Sequence, residues 1–143
     1  MAGSGDKVRL VIVVDDTGAI IAGLPLQLPA KHLTTERVVE EVRDRESRGL
    51  LERAVELGRL QILNPTEPHI KLAKKTARKA GVLRRLSEAD ISVLALALMV
   101  KSQHEGEVLV ATDDYSLQSA VRAAGLEYIP IRYRGIGRER PGR

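Results

Sequence analysis

The chain of 143 residues contains no cysteine, no tryptophan and no phenylalanine, and only three tyrosines. Without cysteine it can form no disulfide, no thiolate zinc site and no cysteine nucleophile. With so few aromatic rings, base stacking can contribute little to any binding of nucleic acid. The N-terminal residues lack the basic flank and apolar core of a signal peptide. The longest apolar run, 93–100, is far shorter than the roughly 20 residues that span a bilayer. We therefore expect a cytoplasmic protein that does not contact a membrane.

What is present is the composition of a globular domain, with 43% hydrophobic and 29% charged residues. The length suits one domain with a real core. We expect a flexible N-terminus at 1–7, a domain at 8–133 and a basic flexible tail at 134–143. The net charge of +4 favours a polyanionic partner.

Apolar runs alternate with helical patterns along the chain. The patterns predict strands at 9–14, 60–63, 107–111 and 127–133, and helices at 35–57, 67–80, 87–100 and 115–124. The first run is apolar at every position from 10 to 14, which is typical of a strand buried on both faces of a parallel sheet. Residues 18–30, with two prolines, predict a turn or short helix and then a loop. Strands alternating with helices predict an α/β fold of three layers, α/β/α, around a mostly parallel sheet of four to five strands.

Acidic residues stand where such a fold keeps its chemistry. Asp15 and Asp16 end the first strand, and an acidic pair at 113–114 ends the third. Each acid also has an ordinary explanation as a turn, capping or solvated residue. In open α/β sheets, however, the carboxyl ends of the strands form the active crevice, and clustered carboxylates repel one another unless a cation neutralises them. Oxygen ligands without histidine or cysteine suit Mg²⁺ or Mn²⁺ better than Zn²⁺.

Two further acids lie on predicted helices. On a helical wheel Glu41 flanks the inward stripe of valines at 38–42, whereas Glu40 lies nearly opposite that stripe. We therefore expect Glu41 to face the crevice and Glu40 to face solvent. Asp90 shares its helix face with apolar residues, where a carboxylate must be paired, protonated or bound to a metal. Asp90 also stands three residues after Ser87, in a pattern that resembles a capping box.

Four segments together resemble the PIN-domain ribonucleases: 13–17, 38–44, 86–91 and 112–118. The branch that they resemble best is the archaeal and eukaryotic endonuclease that matures the 3′ end of small-subunit ribosomal RNA. That branch usually carries a cysteine zinc ribbon after the PIN domain. This chain has no cysteine, so either it ends before the ribbon or it is a relative without one.

The resemblance implies a site and a reaction. The residues that it implies as catalytic and metal-binding are Asp16, Glu41, Asp90 and Asp114, with Asp113 assisting as a metal ligand and Thr17 and Thr112 orienting the ligands. These acids would hold one or two Mg²⁺ or Mn²⁺ ions, which activate water for attack on an RNA phosphodiester. The implied substrate is the precursor of small-subunit rRNA, with a ribosome-assembly protein as a possible partner.

Basic residues are candidates for holding the RNA backbone. The RNA-binding candidates are Lys71, Lys74, Lys75 and Arg78, which share one face of a predicted helix, together with Arg132 and Arg134. A charged helix face is more often simply solvated. His32, His69 and His104 are scattered among polar residues, and we expect ordinary surface histidines.

Three other functions stay open from the residues. A PIN toxin of a toxin–antitoxin pair would share the chemistry and differ in substrate. A non-catalytic RNA-binding or assembly module would share the fold. A phosphoacceptor receiver domain also has an acidic pair after its first strand, but it needs an aspartate ending a later strand and a Lys-Pro near the end. Here the corresponding positions hold Asn64-Pro65 and Ile129-Pro130.

Overall fold

In a computed structural model, residues 10–132 of the chain are described. The strands are β1 (Val11–Asp15), β2 (Lys31–Thr34), β3 (Leu60–Ile62), β4 (Glu107–Ala111) and β5 (Glu127–Ile129). The α-helices are α1 (Thr17–Ile21), α2 (Leu24–Gln27), α3 (Glu36–Glu41), α4 (Arg45–Glu56), α5 (Glu67–Lys79), α6 (Glu88–Gln103) and α7 (Tyr115–Ala123), with a 3-10 helix at Leu83–Arg85. The predicted flexible ends, 1–7 and 134–143, lie outside the described residues.

The five strands form one parallel sheet in the order β3-β2-β1-β4-β5. Alternate residues of β1 point to opposite faces. Ile12 and Val14 join the large core that includes α5, α6 and α7, while Val13 joins a smaller core with α1 and α2. The predicted α/β fold with helices on both faces of the sheet is therefore confirmed. Because all strands are parallel and β1 is central, the carboxyl ends of β1 and its neighbours meet at one edge.

Helix α6 is apolar nearly all round and is buried for most of its length. It begins as the sequence predicts, because the Ser87 hydroxyl accepts the Asp90 N–H and the Asp90 carboxylate accepts the Ser87 N–H, both at 3.0 Å. This reciprocal capping box satisfies two backbone donors at the helix start and holds Asp90 in a single place. None of the helices within residues 10–132 is long and apolar enough to cross a membrane.

The structure corrects the prediction in three places. Strand β2, which is absent from the predicted strands, pairs with both β1 and β3. The single helix predicted over 35–57 is two helices: Val42 adopts an extended conformation, and the Asp44 carboxylate accepts the Ser47 N–H to start α4. Gly49 lies inside α4 and does not interrupt it. The last strand, predicted to 133, ends at Ile129 because only three residues pair with β4.

Candidate active site

Asp16 stands at the centre of the carboxyl edge of the sheet. Its N–H donates to the Ala111 carbonyl of β4, and its Oδ1 accepts the Ala19 N–H at 2.8 Å, which caps α1. The side chain is only 7% exposed. Burial raises its pKa to about 6, hydrogen bonds from Thr112 and Ala19 lower it, and the charges of Asp90 and Asp15 raise it. Asp16 is therefore a buried carboxylate held by backbone geometry in the field of other acids.

The turn after β4 brings a second aspartate to the same edge. The Oδ1 of Asp114 accepts the Leu117 N–H at 2.9 Å, so that Asp114 caps α7. Its own N–H donates to the hydroxyl of the buried Thr112 at 3.0 Å. Thr112 also lowers the pKa of Asp16, so this threonine acts on two of the predicted acids.

Asp90 and Glu41 approach from the helices. Burial is the largest influence on the Asp90 pKa and raises it; the Ser87 backbone lowers it, and the charges of Asp114 and Glu41 raise it. Glu41 accepts a 2.8 Å hydrogen bond from the Thr17 hydroxyl, just after β1. Glu41 thus turns toward the edge, as the helical wheel predicted. Glu40 and Glu41 are both exposed, and the hydrogen bond from Thr17 distinguishes Glu41. The structure brings all four predicted acids into one electrostatic cluster.

The cluster has the chemistry of a hard-cation site. Its potential donors are carboxylate oxygens, which Mg²⁺ and Mn²⁺ favour. Neighbouring acids contribute to the raised pKa of Asp16 and of Asp90, as charges without a counter-ion do. Within residues 10–132, no three acidic or histidine side chains already stand in an arrangement that could hold a metal ion. The donor types therefore fit a divalent cation, whose binding would have to draw these carboxylates together.

Asp113, the predicted assisting ligand, is engaged elsewhere. Its Oδ1 accepts the Ile131 N–H at 2.7 Å, and its Oδ2 lies 3.7 Å from the Arg132 Nε. Asp113 thus anchors the chain that leaves β5 and pairs with one of the predicted RNA-binding arginines. Of the predicted tail candidates, Arg132 is exposed at this edge, and Arg134 lies outside the described residues.

The prediction of three surface histidines is wrong for His32. Because β2 is a strand whose register sets His32 opposite Val13, the imidazole lies on the same face as Asp15. The His32 Nδ1 is 2.6 Å from the Asp15 Oδ2, with both side chains fully buried. The sequence signal that was overlooked is a histidine three residues before the start of a predicted helix, within a short run long enough to pair with β1.

The hydrogen bonds of His32 determine how many protons the pair holds. Its Nε2 lies 2.8 Å from the Leu28 carbonyl, which can only accept, so Nε2 carries a hydrogen. A further proton then lies between Nδ1 and the Asp15 carboxyl, and the pair is neutral overall wherever that proton resides. Burial raises the Asp15 pKa to about 6, against the lowering effect of His32. The other oxygen of Asp15, Oδ1, is buried without a partner in the described part of the chain.

The basic face of α5 is exposed, as expected from its spacing. The candidates on this helix are Lys71, Lys74, Lys75 and Arg78, all exposed. In residues 10–132 none of them lies within ion-pair distance of an acidic side chain. Arg84 and Arg85, exposed in the 3-10 helix that follows, extend the positive surface and were not among the predicted residues.

The comparisons of this chain with known proteins agree with one another on a family of ribonucleases. Residues 12–100 match the family model described as the PIN domain of ribonuclease. The chain is 51% identical over 123 residues to ribonuclease VapC3 of Aeropyrum pernix, covering 86% of this chain and 88% of that protein. It is 38% identical over 130 residues to endoribonuclease Nob1 of Pyrococcus abyssi, covering 91% and 72%, and 31% identical over 131 residues to endoribonuclease Nob1 of Methanothermobacter thermautotrophicus, covering 92% and 75%. The matched family range contains Asp16, Glu41 and Asp90 and ends before Asp114.

Proposed function

Since the chain belongs to the PIN-domain ribonuclease family, we propose that it is a metal-dependent endoribonuclease that cuts RNA at the acidic edge of its sheet. The observation that carries the proposal is that acids from four separate elements approach the buried Asp16 at one edge of the sheet, where they contribute to the raised pKa of Asp16 and of Asp90. Relatives named as ribonuclease or endoribonuclease span most of the chain, which supports the reaction class.

Each group at the edge has a proposed task. The carboxylates that would hold one or two Mg²⁺ or Mn²⁺ ions are Asp16, Glu41, Asp90 and Asp114. A bound ion supplies an activated water and neutralises charge on the phosphoryl oxygens. Thr17, which donates to Glu41, and Thr112, which accepts from the Asp114 N–H, would orient the ligands. Asp113, whose oxygens face Ile131 and Arg132, would contribute negative charge from one side.

For the substrate we propose the precursor of small-subunit rRNA, cut at its 3′ end during ribosome biogenesis. The support is the set of segments 38–44, 86–91 and 112–118, which resemble the branch with that substrate. The second candidate is a toxin ribonuclease of a toxin–antitoxin pair. The 51% identity to ribonuclease VapC3, over 88% of that protein, favours this second candidate.

One cleavage experiment separates the two substrates. The protein is incubated with Mn²⁺ and, at equal concentration, a transcript spanning the small-subunit rRNA 3′ end, a transfer RNA and an unrelated messenger RNA, and the new ends are mapped. A main cut in the rRNA transcript, well above any cutting of the other two RNAs, is the expected result. Preferred cutting of the transfer or messenger RNA would support the toxin instead, and cutting that persists in EDTA would contradict the metal.

Matched variants test the site. Asp16→Asn keeps the shape of the side chain and removes its charge, so cutting should fall at least a hundredfold while the circular dichroism spectrum is unchanged. Glu41→Gln should also reduce cutting, whereas Glu52→Gln, an exposed residue of α4 remote from the edge, should not. Equal activity of Asp16→Asn and the unaltered protein would refute the proposed site.

A further inference from the structure

A groove of about 700 Å³ opens between α5 on one side and the N-terminal parts of α3 and α6 on the other. Its floor is formed by apolar side chains, namely Ile70, Leu83, Leu86 and Ile91. This floor can cover the face of a flat, weakly polar group. The groove is separate from the acid cluster, since neither Glu41 nor Asp90 lines it.

The rim of the groove is mostly acidic. Its charged side chains are Glu36, Glu40, Glu67 and Glu88 against Arg37 and Lys74, and Arg37 is already paired with Glu88 at 2.9 Å. Three of the glutamates are the first residues of α3, α5 and α6, where the helix dipole favours the ionised carboxylate. The rim therefore repels phosphate groups and accepts hydrogen bonds.

Asn64 adds one oriented donor to the rim. Its Oδ1 accepts the N–H of Glu36, the first residue of α3, at 3.0 Å. This hydrogen bond holds the side-chain amide in one orientation. The amide NH₂ group then remains as the donor of this residue, and Asn64 lines the groove. Acidic acceptors beside a single amide donor form a surface that can read the edge of a nucleobase.

The groove lies between the two parts of the proposed RNA site. Lys74 belongs both to the groove and to the basic face of α5. On the opposite wall, Glu40 directly precedes Glu41, and Glu88 stands in the same first turn of α6 as Asp90. An RNA strand whose phosphates lie on the basic face of α5 and whose cut bond lies at the acid cluster has to cross this groove.

We propose that the groove receives a nucleobase of the substrate RNA close to the cut, and that it favours a base with an exocyclic amino group; this rests on the proposed function. The apolar floor covers the base, Lys74 holds its phosphate outside the acidic rim, and a glutamate accepts from the amino group, as Glu does from cytosine N4. Uracil has no amino group to offer, so it would leave the carboxylates without a donor.

The test uses single-stranded RNAs of uridine that carry one adenosine or one cytidine at a varied position, incubated with the protein and Mn²⁺. The expected result is cutting at a constant distance from the introduced base, about tenfold more than in RNA of uridine alone, which corresponds to one good base contact. Equal cutting of all these RNAs would overturn the proposal for the groove while leaving the proposed ribonuclease intact. Cutting of the rRNA transcript but of none of these uridine RNAs would likewise overturn the proposal for the groove. No cutting of any RNA, the rRNA transcript included, would refute the proposed function itself.

Variants of α5 tie the preference to the groove. Ile70→Trp places an indole ring on the apolar floor, where the base would lie, and should erase the preference for the amino-bearing base. Leu72→Trp, at an exposed position of the same helix outside the groove, is the matched control and should retain it. Glu67→Gln removes one rim acceptor without added bulk and should weaken the preference, so it decides the question if Ile70→Trp does not fold. If the base preference persists in both Ile70→Trp and Glu67→Gln, the proposal is overturned. A protein segment would then be the better candidate occupant of the groove.

Discussion

Replacing His32 by leucine should destabilise the fold by about 3–5 kcal/mol at pH 7, the usual cost of removing one partner of a buried ion pair. The His32 Nδ1 lies 2.6 Å from the Asp15 Oδ2, and both side chains are inaccessible to solvent. Leucine cannot donate to that oxygen, and the Oδ1 of Asp15 has no partner of its own in residues 10–132. Because domains are stable by only about 5–15 kcal/mol, the melting temperature should fall by roughly 10 °C.

The stability lost on replacing His32 by leucine should depend on pH. Burial raises the folded-state pKa of Asp15 from 3.8 to about 6, so the folded state binds this proton more tightly than the unfolded state, and stability falls as the pH rises between these values. His32 opposes the rise, and without it the Asp15 pKa should be higher still. The variant then continues to lose stability above pH 6. The deficit of His32→Leu should therefore be smaller at pH 5 than at pH 7, by roughly 1–2 kcal/mol.

In the unaltered protein, the titration of His32 also makes the fold less stable as the pH rises. Asp15 and the Leu28 carbonyl hold the His32 pKa above its ordinary value, although burial opposes them. The stability that this imidazole contributes is fully present below the unfolded-state pKa of 6.5 and is lost as the pH rises through the higher folded-state value. The unaltered protein should thus be less stable at pH 8 than at pH 6 as far as this pair is concerned.

A double-mutant cycle by urea unfolding, followed by circular dichroism at pH 5 and pH 7, measures the pair. Asp15→Leu alone should cost about 1–3 kcal/mol, since the remaining imidazole can stay neutral, and the double replacement Asp15→Leu/His32→Leu should recover most of the loss. His69→Leu is the control, because His69 is partly exposed and its imidazole hydrogen-bonds the Thr66 hydroxyl near the surface, and it should cost under about 1 kcal/mol.

Two results would refute this reasoning. A cost below about 1 kcal/mol for His32→Leu at pH 7 would mean that Asp15 finds another partner when the imidazole is removed. Additive single costs in the double variant would mean that the two side chains stabilise the fold independently.

Three further predictions concern the site. Titration of Mn²⁺ should raise the melting temperature of the unaltered protein, because a ligand that binds only the folded state stabilises that state. The rise should be much smaller for Asp16→Asn, and equal rises in the two proteins would place the ion elsewhere. Replacing Lys71 and Lys75 by alanine should make the slope of log RNA affinity against log salt concentration less steep by roughly 0.7 for each phosphate that is no longer neutralised. The slope is measured by fluorescence anisotropy in the Asp16→Asn background, and an unchanged slope would assign both lysines to solvent. Ser87→Ala should cost about 1 kcal/mol because it removes the α6 cap, and a cost near zero in thermal unfolding would show that Asp90 does not depend on the capping box.

Much of the site followed from local sequence. A continuous apolar run ending in Asp15 and Asp16 predicted a central parallel strand with acids at its carboxyl end, because parallel strands buried on both faces need apolar residues at every position. The Ser87 and Asp90 spacing predicted the start of α6, since a capping box involves only residues within one turn. The phase of Glu41 followed in the same way from the valine stripe of a single helix turn.

Other features depended on partners far along the chain. Strand β2 is a short segment in which only Leu33 is apolar, and it is extended because β1 and β3 supply hydrogen bonds on both sides. That pairing buries His32 against Asp15, 17 residues away, so an imidazole among polar neighbours in sequence is fully enclosed in space. The groove likewise needs α3, α5 and α6 side by side. Most of the elements, their caps and the acidic strand ends arise from residues within a few positions of one another, so local sequence was enough to predict them. The buried pair and the groove arise from packing between distant segments, so they are visible only in the folded chain.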